Sequence, residues 1–133
     1  MQVNALDHVN IITDRLDETA EFYRNLLNLE RRDGPPPLTP LTAQWMYDAG
    51  GKAIVHINST DCIRAYDREV QPGALTGALH HVALNCSGYD TVIGRIEAMG
   101  LNFQVNLVEA IGLRQVFTAD PNNVLLELNF FED

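Results

Sequence analysis

Four side chains able to bind a metal ion recur at matched places in this sequence. Leu6-Asp7-His8-Val9-Asn10-Ile11 and Leu79-His80-His81-Val82-Ala83-Leu84 are near copies, which sets His8 and His81 73 residues apart. Ala53-Ile54-Val55-His56-Ile57 and Val124-Leu125-Leu126-Glu127-Leu128 make a second pair, with His56 and Glu127 71 positions apart. A period near 70 is too long for a solenoid unit and indicates a duplicated module. Each half then opens and closes with a strand that carries one potential ligand. Imidazole and carboxylate donors suit Zn, Fe, Ni, Co or Mn, whereas a thiolate site or an all-oxygen calcium site needs other side chains.

The segments between these residues repeat as well. Residues 6 to 12 alternate as a strand, and Arg15 to Leu27 places Leu16, Ala20, Phe22, Tyr23, Leu26 and Leu27 on one helical stripe, with Asp14 or Asp17 as its amino-terminal cap. Asn28 ends that helix in a left-handed conformation, and Gly100 takes the matching place after a second helix from about Asp90 to Met99. That helix turns Val92, Ile93, Ile96 and Met99 inward. Three strands follow each helix, at 29–33, 43–48 and 52–58, then at 102–107, 112–118 and 124–130. The order is strand, helix and three strands, twice: an α+β chain of two tandem βαβββ modules, residues 1–58 and 78–133. Residues 59–77 are a linker or a lid, with a short helix open to Ile63, Ala65, Tyr66 and Val70. Gly34-Pro35-Pro36-Pro37-Leu38-Thr39-Pro40 can be neither helix nor central strand and is a stiff surface connection or the rim of a site.

Counting by twos, His8 shares a face with Asn10, His56 with Asn58, His81 with Asn85 and Glu127 with Asn129. Val9 and Ile11, Val55 and Ile57, Val82 and Leu84, and Leu126 and Leu128 fill the opposite faces, which pack the helices. The asparagines either mark strand ends or hydrogen-bond the metal-binding side chains or a substrate. A two-residue hairpin at Gly50-Gly51 sets Trp45 opposite His56 and Tyr47 opposite Ile54, giving the metal side an apolar wall. The length of the matching hairpin is open, so either Arg114 and Val116 or Gln115 and Phe117 face Glu127. His80 shares parity with Val82 and Leu84, away from His81, and is read as structural. Cys86 has the same parity and is read as a buried, unreactive thiol.

Composition narrows the function. A chain of 133 residues, 46% hydrophobic, can bury one ordinary domain core. Its net charge of -9 argues against nucleic acid, whose binding needs Lys and Arg to replace counterions. No long apolar run or signal pattern is present, which points to a cytoplasmic protein with no membrane partner.

The duplicated strand-helix-three-strand pattern, the opening Asp7-His8-Val9, the Phe22-Tyr23-Arg24-Asn25-Leu26-Leu27 segment and Asp120-Pro121-Asn122-Asn123 before Leu126-Glu127-Leu128 resemble the vicinal oxygen chelate superfamily. That superfamily includes glyoxalase I, extradiol dioxygenases, methylmalonyl-CoA epimerase, fosfomycin-resistance enzymes and bleomycin-binding proteins. The resemblance implies curved, half-open mixed sheets around a concave site. His8, His81 and Glu127 match the family's ligands, and His56 takes the fourth place, where glyoxalase I resembles a Glu and epimerases a Gln. It implies one divalent metal per site (Zn, Ni, Co, Mn or Fe(II)), a small oxygen-chelating substrate, and a homodimer whose sites combine module one of one chain with module two of the other.

The implied chemistry is of the glyoxalase type: isomerase or lyase, with the metal as Lewis acid stabilising an enolate or enediolate and with Glu127, or a bound hydroxide, moving a proton. Catalytic roles fall to Glu127 and His56, and substrate contacts to Trp45, Tyr47, Asn10, Asn58 and Asn129. One alternative is an Fe(II) extradiol-type dioxygenase using His8, His81 and Glu127, with His56 as an acid-base group. The other is a non-catalytic protein that binds an antibiotic or another small molecule.

Overall fold

The computed structural model describes residues 1–65, 69 and 79–131. The chain divides into two compact units, Met1–Gln71 and Pro72–Asp133. In the first, β1 (Val9–Thr13), α1 (Leu16–Leu27), β2 (Glu30–Asp33), β3 (Ala43–Tyr47) and β4 (Ala53–Ser59) form a four-stranded mixed sheet with one helix. Its strand order is β1-β4-β3-β2, with β1 and β4 parallel and the other pairs antiparallel. The second repeats the plan with β5 (Val82–Asn85), α2 (Tyr89–Ala98), β6 (Phe103–Val108), β7 (Leu113–Ala119) and β8 (Leu125–Phe130), ordered β5-β8-β7-β6. This is the α+β, twice-βαβββ architecture expected from the pattern, with open sheets. A 3-10 turn, Ile63–Ala65, is seen in the proposed linker; residues 66–68 and 70–77 of that segment, Tyr66 and Val70 among them, lie outside the described residues.

In each unit one sheet face buries apolar side chains. Val55, Ile57, Leu126 and Leu128 are 3%, 0%, 1% and 0% exposed, so the alternation of each module's last strand sends the opposite face, with His56 and Glu127, outward. Thr19, Ala20, Phe22, Tyr23 and Leu26 form the buried stripe of α1, and Val92 and Ile96 that of α2.

The start of α1 differs from expectation. Arg15 takes the N-cap place without a side-chain cap, and its backbone N–H donates to Thr13 Oγ1 at 2.9 Å. Asp17 instead lies in the first turn, where its charge complements the helix dipole, and it pairs with Arg31. The helix end is as expected: Asn28 is left-handed (φ 58) and donates its N–H to the Arg24 carbonyl at 3.0 Å. Gly100 follows α2 with φ 66.

The same turn closes both terminal hairpins. The Asp48 N–H donates to the Lys52 carbonyl at 2.8 Å, while Asp48 Oδ1 accepts the N–H groups of Gly50 and Lys52, each at 2.9 Å. Asp120 repeats this with Val124 (3.0 Å), its Oδ1 accepting from Asn122 at 2.7 Å and Val124 at 2.9 Å. The left-handed residue is Gly51 (φ 81) in one turn and Asn123 (φ 62) in the other. The first loop is therefore longer than two residues, because the Asp48 carboxylate gathers two amides and widens the turn. The register shifts between Met46 and Tyr47, so Trp45 faces His56 as expected but Tyr47 pairs with Ala53 and not Ile54.

Candidate metal centre

His8 stands just before β1, and His56 lies on β4, which pairs with β1 in parallel. The first and last strands of the module are thus neighbours, and residues at opposite ends of its sequence meet. The two imidazoles stack with ring centres 3.8 Å apart and planes 14° apart. Trp45 covers His56 at 3.9 Å and 6°, so His56 is the middle ring of three. Tyr47, beyond the bulge, carries the Arg32 guanidinium 4.4 Å from its ring centre.

Asp7 Oδ1 lies 2.7 Å from His8 Nδ1, which leaves the lone pair of Nε2 to face elsewhere. The hydrogen bond to His8, with help from the Lys52 ammonium 3.8 Å from Oδ2, holds the Asp7 carboxyl below the usual carboxylate range. Burial, followed by repulsion from His8, lowers His56 from 6.5 to about 4; a hydrogen bond to the Ala53 backbone and the charge of Asp7 oppose this. His56 is therefore neutral at pH 7, as a metal donor or a base must be. Lone pairs of imidazoles lie in the ring plane, however, and two nearly parallel rings stacked face to face do not aim theirs at one point. In this arrangement His8 and His56 are neighbours that cannot both bond the same ion unless one ring turns.

In the second unit His81 stands just before β5, and its Nε2 lies 2.9 Å from Glu127 Oε2 on β8. Gln115 Nε2 donates to Glu127 Oε1 at 2.6 Å and to Asn129 Oδ1 at 3.2 Å, and Asn106 Nδ2 donates to Gln115 Oε1 at 2.8 Å. The open question of β7 is answered: Gln115 pairs with Asn129 and Phe117 with Glu127, so these two share the Glu127 face. Arg114 is set over the Tyr89 ring at 4.1 Å.

Two expectations need correction here. His80 does not point away from His81: the two Nδ1 atoms lie 2.9 Å apart with the rings edge to face. Both residues precede β5, so pleated alternation does not govern them. Cys86 is half-buried just past the end of β5, with Sγ 3.6 Å from the Leu84 carbonyl, while Cys62 is the buried thiol. The asparagines are engaged within the protein: Asn58 Nδ2 donates to Asn10 Oδ1 at 2.7 Å, Asn129 accepts from Gln115, and Asn85 is level with Asn129 in the β5–β8 register.

Each unit thus brings together two of the four expected ligands, and among the described residues no group of three or more His, Cys, Asp or Glu is assembled within either one. The donor chemistry fits a first-row divalent ion: imidazole nitrogens with the opposite nitrogen engaged, and a carboxylate steadied by an amide. Sequence reasoning missed Asp7 and His80 as partners of these donors and left Gln115 as one of two alternatives facing Glu127. The signal for the first two lay in the repeat, since each directly precedes its histidine.

Comparison with known proteins agrees with this fold. Residues 5–128 match the model of the Glyoxalase/Bleomycin resistance protein/Dioxygenase superfamily, and the chain belongs to that family. It is 23% identical over 130 residues to "Glyoxylase I 4" of Arabidopsis thaliana, covering 96% of this chain and 71% of that protein. Among solved structures, an integron cassette protein from V. Cholerae superposes with a TM-score of 0.72 at 12% identity, covering 99% of this chain and 98% of the other. The genomically encoded fosfomycin resistance protein FosX of Listeria monocytogenes superposes with a TM-score of 0.65 at 21% identity, covering 97% and 94%. A mutant of FosX has been solved with Mn(II) and 1S,2S-dihydroxypropylphosphonic acid; it is 20% identical with a TM-score of 0.64, covering 96% of this chain and 90% of the other. Among the described residues, no helix is long and apolar enough to cross a membrane.

Proposed function

We propose that this protein is a divalent-metal-dependent enzyme of the glyoxalase-like isomerase or lyase type, acting on a small substrate that presents two oxygens. The observation that carries this reading is the 2.9 Å approach of His81 Nε2, just before β5, to Glu127 Oε2 on the neighbouring β8, a nitrogen and an oxygen donor already converging. His8, His81 and Glu127 would hold the ion, with His56 taking the fourth place only if its ring turns out of the stack. Zn, Ni, Co, Mn and Fe(II) all suit such donors. Bound there, a divalent ion would act as a Lewis acid toward substrate oxygens.

The chain's own residues supply the rest. Gln115 steadies Glu127 Oε1, and Oε2, on parting from His81, would take or return a proton on a carbon beside a carbonyl. Trp45, an outer ring of the stack on His56, would offer a flat apolar face, and Asn10, Asn58 and Asn129 offer polar edges that can exchange their present partners for substrate. Modules 1–58 and 78–133, joined by residues 59–77, would combine within a cytoplasmic homodimer. The exposed row Phe103, Val105 and Leu107 on β6 supports self-association, being 39%, 42% and 55% exposed on the side of the strand opposite Gln104 and Asn106.

Exchange of the substrate's α-proton with deuterated solvent tests the reading. It should proceed without oxygen in Zn, Ni, Co or Mn forms, and Glu127→Gln should suppress it while metal remains bound. The stacking of His56 favours a second reading, an Fe(II) extradiol-type dioxygenase, because it leaves His8, His81 and Glu127 as a two-histidine, one-carboxylate set. Stoichiometric oxygen uptake with a catechol by the Fe(II) form alone, beside inert Zn and Ni forms, would select that alternative. A purely sequestering role for a small molecule such as an antibiotic gives no reason for Gln115 to steady a carboxylate already beside an imidazole.

A further inference from the structure

The residue immediately before each candidate ligand histidine holds that histidine by the same atom. Asp7 Oδ1 meets His8 Nδ1 at 2.7 Å, and His80 Nδ1 meets His81 Nδ1 at 2.9 Å. Asp7 and His80 are 73 residues apart, the spacing of His8 and His81 themselves. The two contacts therefore occupy one position of the repeat, filled by a carboxylate in one half and an imidazole in the other. Both leave Nε2 as the nitrogen directed onward, and in the second module that atom already lies 2.9 Å from Glu127 Oε2.

We propose that His80 is a positioning residue for metal binding: its Nδ1 accepts the Nδ1–H of His81 and so fixes His81 in the tautomer whose Nε2 lone pair bonds the ion. Asp7 does the same for His8. The inference rests on the metal reading above. Its chemistry is constrained by proton count, because two Nδ1 atoms 2.9 Å apart share one hydrogen, and one ring must donate while the other accepts. When His81 gives its Nε2 lone pair to an ion, its own proton belongs on Nδ1 and His80 becomes the acceptor. Without an ion, Nε2 carries the hydrogen that meets Glu127 Oε2, and the polar chain runs from His80 through His81 and Glu127 to Gln115 and Asn106; an ion replaces that hydrogen, and the Nδ1 contact with His80 is what still holds the ring. Partners of this kind typically change metal affinity by about 10- to 100-fold when removed.

The test is Mn(II) affinity measured by calorimetry on the full chain, with thermal unfolding and circular dichroism checking that every variant folds. His80→Ala should weaken Mn(II) binding about tenfold or more, and Asp7→Ala should do likewise. His80→Asn, which restores a neutral acceptor, should recover affinity to within about threefold of wild type, and His80→Asp, which copies the first module, should recover at least as much. Unchanged affinity in His80→Ala would overturn the inference. Recovery by Asp but not by Asn would also overturn it, since added negative charge and not orientation would then be the cause. Wild-type protein that binds no divalent ion would overturn the metal reading and this inference with it.

Discussion

The indole of Trp45 lies flat on the imidazole of His56, ring centres 3.9 Å apart and planes 6° from parallel, and His8 stacks nearly parallel to the same imidazole. A ring stacked between two others is both desolvated and held in orientation, and this one contact sets several measurable properties of the first module.

Acid should reveal the burial of His56. Its folded value of about 4 lies below the ordinary 6.5, so between these values the unfolded chain binds more protons than the folded one. The metal-free protein should lose stability as pH falls from about 6.5 toward 4 and show none of this loss above that window. Urea unfolding at several pH values should show a shallower acid-side loss in His56→Phe. Partial solvent access keeps the difference well below the full linkage of about 1.4 kcal/mol per pKa unit.

Trp45→Ala should move the His56 midpoint upward in an NMR titration, because burial is the largest cause of its depression. The same change should cost about 2 kcal/mol of stability through lost stacking and packing. A midpoint still near 4 would assign the shift to His8 instead.

Metal binding should separate the two stacked histidines. With planes 14° apart, one ring at most aims at a given ion, so His8→Ala should reduce Mn(II) affinity by about 100-fold and His56→Phe by less than about tenfold. Phenylalanine keeps the stack and removes the nitrogens. Equal losses would show that His56 turns out of the stack when the ion binds.

Sharing of sites between chains has a direct assay. Inactive His8→Ala chains mixed with inactive Glu127→Ala chains should regain activity in heterodimers, because both lesions can fall in one shared site and leave the other intact. Verified heterodimers without recovery would place each site within a single chain.

The left-handed end of α1 should tolerate one small change and resist another. At φ 58, Asn28→Gly should be neutral or slightly stabilising, while Asn28→Ala should cost about 1 kcal/mol in urea denaturation.

Much of this fold was legible because duplication wrote it twice. The repeat, the alternation of β4 and β8 and the left-handed Asn28 all follow from local periodicity and backbone sterics. The departures have one physical origin, side chains that bond backbone or neighbours outside regular alternation. The Asp48 carboxylate widened its turn and displaced Tyr47, and Thr13 accepts the Arg15 amide ahead of a helix that begins without the expected aspartate cap. His80 and His81 lie before their strand begins, where counting by twos has no force. The pairing of Trp45 with His56 was legible from the hairpin, but the stacking of the rings was not, since rotamers answer to packing on both faces.

The parallel pairing of β1 with β4, and of β5 with β8, has a consequence for how such a protein diversifies. Each half places the start and end of its own chain side by side, so a gene copied once carries the same backbone address twice, and a single codon can rewrite the donor there without disturbing the sheet. Residue 56 spells histidine where its counterpart at 127 spells glutamate, and residue 7 spells aspartate where residue 80 spells histidine. Drift at these addresses changes the chemistry that one face of each sheet presents, with the buried sides of β4 and β8 left to preserve folding.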